Sequence, residues 1–261
     1  MSDSTNDYTI SSVQRALKIL KLFVPSNDGL TLMDISNQSG VHKSTALRMV
    51  STLKDAGFLK QSPESKKYRL GVAAMQVGLS SLDSLSLPKV SEPILRELAD
   101  KTGFAVHLGI FESGNVIVLA KVFPVDKACS IRLASKIGGI LPTYCTGIGL
   151  LFLAHESPEF VHDYLSKCNL ISYTSTTETD IDKIIKRIDA IREKDFTINN
   201  GEHDESVVSI CYPIYDHTQH MVAGISVGGI REVVSRCDFD LLKERTQRAA
   251  LDISLELGYY T

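Results

Sequence analysis

Residues 31–71, TLMDISNQSGVHKSTALRMVSTLKDAGFLKQSPESKKYRLG, constrain the fold more than any other stretch of the 261-residue chain. Thr31 can cap a short helix that turns Leu32 and Ile35 inward and closes at Gly40, a natural place for a left-handed residue. Val41 can plug the turn, and a second amphipathic helix then runs from His42 toward Phe58. At helical period Leu47, Val50 and Leu53 share one face, with Ala46 beside them. Lys43, Ser44, Thr45, Arg48 and Thr52 lie away from that seam. The polar side carries cations and hydroxyls, with no acid before Asp55. A solvated surface helix usually mixes both signs. Alone, this helix fits either a solvated face or a reading face, and its neighbours must decide.

Those neighbours favour reading. FLK and KYRL look like short strands, and QSPESK supplies turn chemistry between them. A capped helix, a glycine turn, a second amphipathic helix and a basic hairpin, tightly connected, make a winged helix-turn-helix. The second helix then enters a DNA groove, where Arg48 can address a base edge. Lys60, Lys66, Lys67 and Arg69 reach phosphates beside it. Upstream, SSVQRALKILKLF reads as a helix capped by Ser11 or Ser12, with Ala16, Leu17, Leu20 and Phe23 inward and Pro25 beyond its end.

Charge agrees. Residues 1–78 carry 10 Lys and Arg against 6 Asp and Glu, a net +4, whereas the remainder carries 18 against 25, a net −7. A basic small segment joined to an acidic large one suggests an anionic partner for the first. No apolar run approaches the roughly 18 residues that a membrane span needs. MSDSTNDYTI is unlike a signal peptide. Five scattered cysteines without a CxxC pair suit reduced thiols. The expectation is a cytoplasmic protein without a membrane partner.

GVAAMQVGLSSLDSLSL, residues 71–87, reads as a helix leading away from the wing to a break at Pro88. Its Val72, Met75, Leu79 and Leu82 can pack on their own domain or pair two subunits. Beyond it KVSEPILRELADKTG is an amphipathic helix. AVHLGIFESGNVIVLAKVF alternates around ESGN as a hairpin, and CSIRLAS is a further strand. GIGLLFLAHE is apolar nearly all round and so buried. Ser157 with Pro158 opens another helix, and TDIDKIIKRIDAIREKDF forms a longer one. FTINNGE, VVSICYPIYD and MVAGISVGGI are strands, and a last helix spans about 239–257. Two groups of strands with helices between them give an α+β domain with an antiparallel sheet.

Catalytic and metal signatures are weak. His217 and His220 sit in a turn between strands, so no metal is expected. Cys145 precedes a helix, where a lowered pKa would suit a nucleophile, but no base is placed beside it. TGIG is too short for a dinucleotide fingerprint. No catalytic residue and no cofactor is assigned. PTYCTGIG is more informative. Backbone N–H groups of Gly147 and Ile148, opening a buried helix, make a seat for a carboxylate or carbonyl oxygen. NNGEHDES, Ser209 and Ser226 add uncharged polar groups, as a small organic ligand would require.

From about Ser11 to Gly258 the chain resembles the IclR family of bacterial transcriptional regulators. SVQRALKILKLF, DISNQSGVHKSTALRMVSTLKDAGFL and YRLGVAAMQVG resemble the family's winged helix-turn-helix and linker helix. LPTYCTGIGLLFLA and IDAIREKDF resemble hallmark stretches of its effector domain. The resemblance implies a GAF-like α+β effector domain, a homodimer or tetramer, and a near-palindromic double-stranded DNA operator. By motif it implies an effector site at Leu141, Gly147, Ile148, Asn199, Ser209 and Ser226, for a small organic effector such as a carboxylic acid. Asn199 stands where some relatives have Asp, Ser209 where some have Cys and Gly228 where some have Ser. Tyr144 replaces a frequent His and Leu150 a frequent Lys. These departures leave the effector open.

The expected division is 9–71 for the winged helix-turn-helix, 72–87 for the linker helix and 88–261 for the effector domain. The expected function is a ligand-responsive regulator, repressor or activator, of a catabolic or metabolic operon. The alternatives are a small-molecule enzyme or ligand-binding module with an accessory helical domain, and a protein–protein adaptor.

Overall fold

Local capping chemistry sets the first elements of the computed structural model, which describes residues 9–24, 26, 28–84, 86–125 and 136–260. The chain divides into two compact units, 1–85 and 86–261. In the first, helix α1 (Ser11–Lys21) precedes α2 (Leu32–Ser39) and α3 (Lys43–Asp55). Strands β1 (Leu59–Gln61) and β2 (Tyr68–Leu70) follow, then α4 (Val72–Ser84). The Thr31 hydroxyl accepts from the Asp34 N–H at 3.2 Å, and the Asp34 carboxylate accepts from the Thr31 N–H at 2.9 Å. This reciprocal capping box starts α2. Gly40, at φ 71°, ends it with its N–H donated to the Ser36 carbonyl.

Three sequence expectations need correction here. Ile10 occupies the N-cap of α1 without a side-chain bond, so Ser11 and Ser12 lie inside the first turn instead of capping it. Leu17, expected inward, is 53% exposed. Leu47, expected in the core, is 49% exposed, and α3 instead buries Ala46 and Val50, with Met49 and Leu53 partly covered. The inward face follows the 46–49–50–53 spacing of a helix packed on one stripe, which leaves Leu47 on its flank. The small core is Ile19, Phe23, Ile35, Val50, Leu59 and Tyr68. Tyr68 exchanges both backbone hydrogen bonds with Leu30, which ties the hairpin to the helices.

The second unit opens with α5 (Ser86–Thr102). Pro88 lies in its first turn, where a missing N–H breaks no intrahelical bond, instead of marking a break. Strands β3 (Ala105–Glu112), β4 (Asn115–Val122) and β5 (Ile140–Leu141) follow. Helices α6 (Gly147–His155), α7 (Pro158–Lys167) and α8 (Ile181–Lys194) come next. Strands β6 (Thr197–Asn200), β7 (Val207–Tyr215) and β8 (Met221–Ile230) precede α9 (Arg231–Val234) and α10 (Phe239–Glu256). The strand expected at CSIRLAS falls outside the described residues.

The six strands form one sheet in the order β5-β4-β3-β8-β7-β6, with every neighbouring pair antiparallel. One face packs Val106, Leu108, Ile210, Ile225 and Val227 against α5 and α10. The other carries α6, with α7 and α8 packed outside it. Helix α6 is buried along its first eight residues, as its unbroken apolar sequence requires. The expected α+β architecture with an antiparallel sheet is the one observed.

Candidate functional site

In α3 the ring of His42 acts as N-cap, its Nδ1 accepting from the Ser44 N–H at 3.4 Å and lying 2.8 Å from the Ser44 hydroxyl. Lys43, Ser44, Arg48, Ser51 and Lys54 are exposed along the helix. Thr45, Arg48 and Thr52 stand on the flank that faces α1, where they line a cleft with Ser12, Arg15 and Leu17. The Thr52 hydroxyl donates back to the Arg48 carbonyl at 3.0 Å. The candidate reading residues thus divide between the outer face and the α1 side of the helix.

In the hairpin, Lys60 and Arg69 are direct cross-strand partners, and both are exposed while Leu59 and Tyr68 point inward. Like charges directly opposite destabilise a sheet. Lys66 holds the turn in a left-handed conformation at φ 57°. Among the described residues, the ion pairs all belong to the second unit. Lys43, Arg48, Lys60, Lys66, Lys67 and Arg69 have none.

The second candidate site lies where α6 meets the sheet. Leu141, Gly147, Ile148, Asn199, Ser209 and Ser226 line one cavity of about 240 Å³. Strand register explains their convergence. Asn199 pairs with Ser209, and Ser209 with Gly228; one row along, Cys211 pairs with Ser226, and Ser226 with His107. Glycine lets the layers approach. A Cβ at Gly147 would lie 2.4 Å from the Cys211 Sγ, and one at Gly228 would lie 2.5 Å from the Val208 carbonyl oxygen.

Asn199 is held at both ends of its amide. Its Nδ2 donates to the Cys145 carbonyl at 2.8 Å, and its Oδ1 accepts from the Glu202 N–H at 3.3 Å. A carboxylate at 199 could not donate to that carbonyl. Glu202 is buried and paired with Arg187. Arg187 also donates to the Ile198 carbonyl, which fixes the turn behind the cavity. Thr146, at the N-cap of α6, turns its hydroxyl to the Pro142 carbonyl at 2.7 Å and makes no side-chain cap.

Sequence reasoning missed His107 among the lining residues, and it reached His203 and Asp204 only as part of the polar stretch NNGEHDES. His107 lies on β3, and only the long-range pairing with β8 brings it beside Ser226. Burial, with the Lys121 charge adding to it, pushes the His107 imidazole down to about 4. The unfolded chain takes up this proton below about 6.5 and the folded one only below about 4. Acidification across that window therefore removes about 3 kcal/mol of folded stability through this group. His107→Gln should lose less stability than the parent between pH 6.5 and 4.5 in urea titrations. Parallel losses would mean that the imidazole is charged in the fold.

Burial also pushes the Cys145 thiol up to about 12, the opposite of an activated nucleophile. Among the described residues no group of His, Cys, Asp and Glu is arranged to hold a metal ion, and no helix is long and apolar enough to cross a membrane.

Comparison with known proteins agrees with this arrangement. The profile described as "IclR helix-turn-helix domain" matches residues 12–63, and "Bacterial transcriptional regulator IclR C-terminal" matches residues 79–255. The chain is 29% identical to the HTH-type transcriptional regulator XynR of Escherichia coli K12 over 96% of this chain and 98% of that protein. It is 29% identical to the regulator KipR of Bacillus subtilis 168 over 95% and 97%. An IclR homologue from Microbacterium hydrocarbonoxydans, crystallised with 4-hydroxybenzoate, has the same fold at a TM-score of 0.83 and 22% identity, over 95% of this chain and 99% of that one. A DNA-binding helix-turn-helix followed by an effector-binding domain, matched in that order, makes this chain a member of the IclR family of bacterial transcriptional regulators.

Proposed function

We propose that the chain switches a catabolic or metabolic operon by binding a near-palindromic operator as a homodimer or dimer of dimers, under control of a small carboxylic acid. Residues 9–71 bind DNA, 72–87 link and 88–261 hold the effector. The observation that carries the reading is the charge imbalance. Among the described residues the cations at 43, 48, 60, 66 and 69 have no ion-pair partner, and Lys67 has only the field of Asp34, although acids are plentiful elsewhere in the chain. Lys43, Ser44, Thr45, Arg48 and Thr52 read the groove, and the hairpin cations hold phosphates. Exposed Val72 and Met75, three residues apart on α4, supply an apolar face for pairing. Two such units on one two-fold axis read a near-palindrome.

The effector reading is supported by the cavity's chemistry. Its walls combine Leu141, Ile148 and Val207 with two serine hydroxyls, a neutral His107 and the start of α6. A helix start favours a carboxylate, and an amide at 199 in place of an acid lowers like-charge repulsion, which leaves Asp204 as the acid of the lining. The chain has no assigned catalytic group and acts by binding, not turnover. The test is genome-wide selection of duplex fragments by the purified protein at about physiological salt, with and without a metabolite extract. A recurring near-palindrome supports the reading, and its flanking genes name acids to titrate against the complex. No enriched sequence under either condition overturns it.

A further inference from the structure

We propose that Leu47 reads the C5-methyl group of a thymine, and so fixes an A·T pair in each operator half-site. The inference rests on the DNA-binding reading of α3. Leu47 is 49% exposed in the first half of that helix and belongs to none of the hydrophobic clusters. Three of its surface neighbours at helical spacing, Lys43, Ser44 and Ser51, are exposed and polar, and the fourth, Val50, is buried. Leu47 is therefore a single alkyl group inside a polar, cationic face. That setting suits a nucleic-acid surface better than the continuous apolar patch that a protein partner would need.

Base-edge chemistry supplies the target. Among the four bases only thymine presents an alkyl group in the major groove, and apolar side chains recognise it by contact. The serine hydroxyls and the lysine ammonium beside Leu47 on the helix offer no methyl for that contact. The arrangement divides the work on α3. Lys43, Ser44 and Arg48 meet phosphates and hydrogen-bonding base edges, and Leu47 meets the methyl. Removing one buried methyl from such a contact should weaken binding about fourfold per half-site, and somewhat more than tenfold when both half-sites are changed.

The test begins with selection of an operator from random duplexes by the full-length protein, with metabolite extract present and absent. Each thymine of the selected half-site is then replaced, one at a time, by deoxyuridine, which lacks only the methyl. The parent protein should lose about fourfold at one position per half-site. Leu47→Ala, whose side chain leaves no core cavity, should bind the thymine and deoxyuridine forms of that position equally. Leu47→Met should keep a preference for the methyl. Equal binding of all deoxyuridine operators by the parent overturns the inference while the DNA reading stands. A thymine preference that persists in Leu47→Ala does the same. Failure to select any duplex overturns both.

Discussion

Gly149→Ala is expected to unfold the second unit at markedly lower urea concentration, with a loss of about 3 kcal/mol or more. Helix propensity alone predicts the reverse, since alanine is favoured over glycine by about 1 kcal/mol inside a helix. Packing decides the sign. A Cβ at 149 would lie 2.2 Å from the Thr143 carbonyl oxygen and 2.5 Å from its Cα. Both atoms are backbone, and Thr143 is itself buried, its hydroxyl donating to the Gly114 carbonyl at 3.0 Å. Helix α6 would have to lift from the segment that leads into it, taking the cavity's Ile148 along. Gly78 is the control, for it lies within α4 and a Cβ there meets nothing within 4 Å. Gly78→Ala should leave the first unit as stable or gain up to about 1 kcal/mol. Circular dichroism through both transitions distinguishes the outcomes. An unchanged midpoint for Gly149→Ala would mean that α6 is not held where the structure has it.

The second large effect concerns the hairpin. Replacing Lys60, Lys66, Lys67 and Arg69 together by Ala should weaken binding to every duplex alike by about 100-fold or more at physiological salt. It should also flatten the logarithmic salt dependence by about 3 to 4 per half-site, since each phosphate contact contributes about 0.9. Preference among sequences should hardly change, because phosphate contacts carry no base information. Stability should move the other way. Lys60 and Arg69 oppose each other across the ladder, and relieving that repulsion is worth up to about 1 kcal/mol. Tighter folding with weaker, less salt-sensitive binding is hard to obtain from general damage. Binding that keeps the parent's salt slope would remove the hairpin from the interface.

Much of the architecture is legible from local chemistry. The box at Thr31 and Asp34, the left-handed Gly40 and the proline after Ser157 are all determined within four residues. Helix α6 is legible because eight residues without a charged side chain, Gly147 to Ala154, leave no face for water. Errors arise where a distant neighbour decides. Leu47 shares a plausible spacing with Val50 and Leu53, but small Ala46 and flexible Met49 take the inward positions once α3 packs on its domain. His42 is an uncommon cap, and only the observed ring position reveals its role. Gly147, Ile148, Ser209 and Ser226 are legible from a helix start and uncharged polar groups, the family motifs add Leu141 and single out Asn199, and strand register explains why Asn199, Ser209 and Ser226 meet. His107 escaped notice because pairing between strands more than a hundred residues apart sets the neighbourhood of β3.

Under the proposed effector role of the cavity, a wall drawn from a sheet has a consequence for changing what the protein senses. Asn199, Ser209, Ser226 and His107 occupy points on adjacent strands, which are spaced about 4.8 Å apart. The opposite face of the same strands is pinned by Val106, Ile210 and Val227 against helices. Chemical identity at each point can therefore be exchanged while the spacing between points stays fixed. Ser209 and Ser226 are the interchangeable positions. Gly228 is not, because its missing side chain is what lets Ser209 stand where it does. Retargeting toward new metabolites becomes a combinatorial choice of functional groups on a rigid grid, with the grid pitch, not loop flexibility, setting which molecules can be matched.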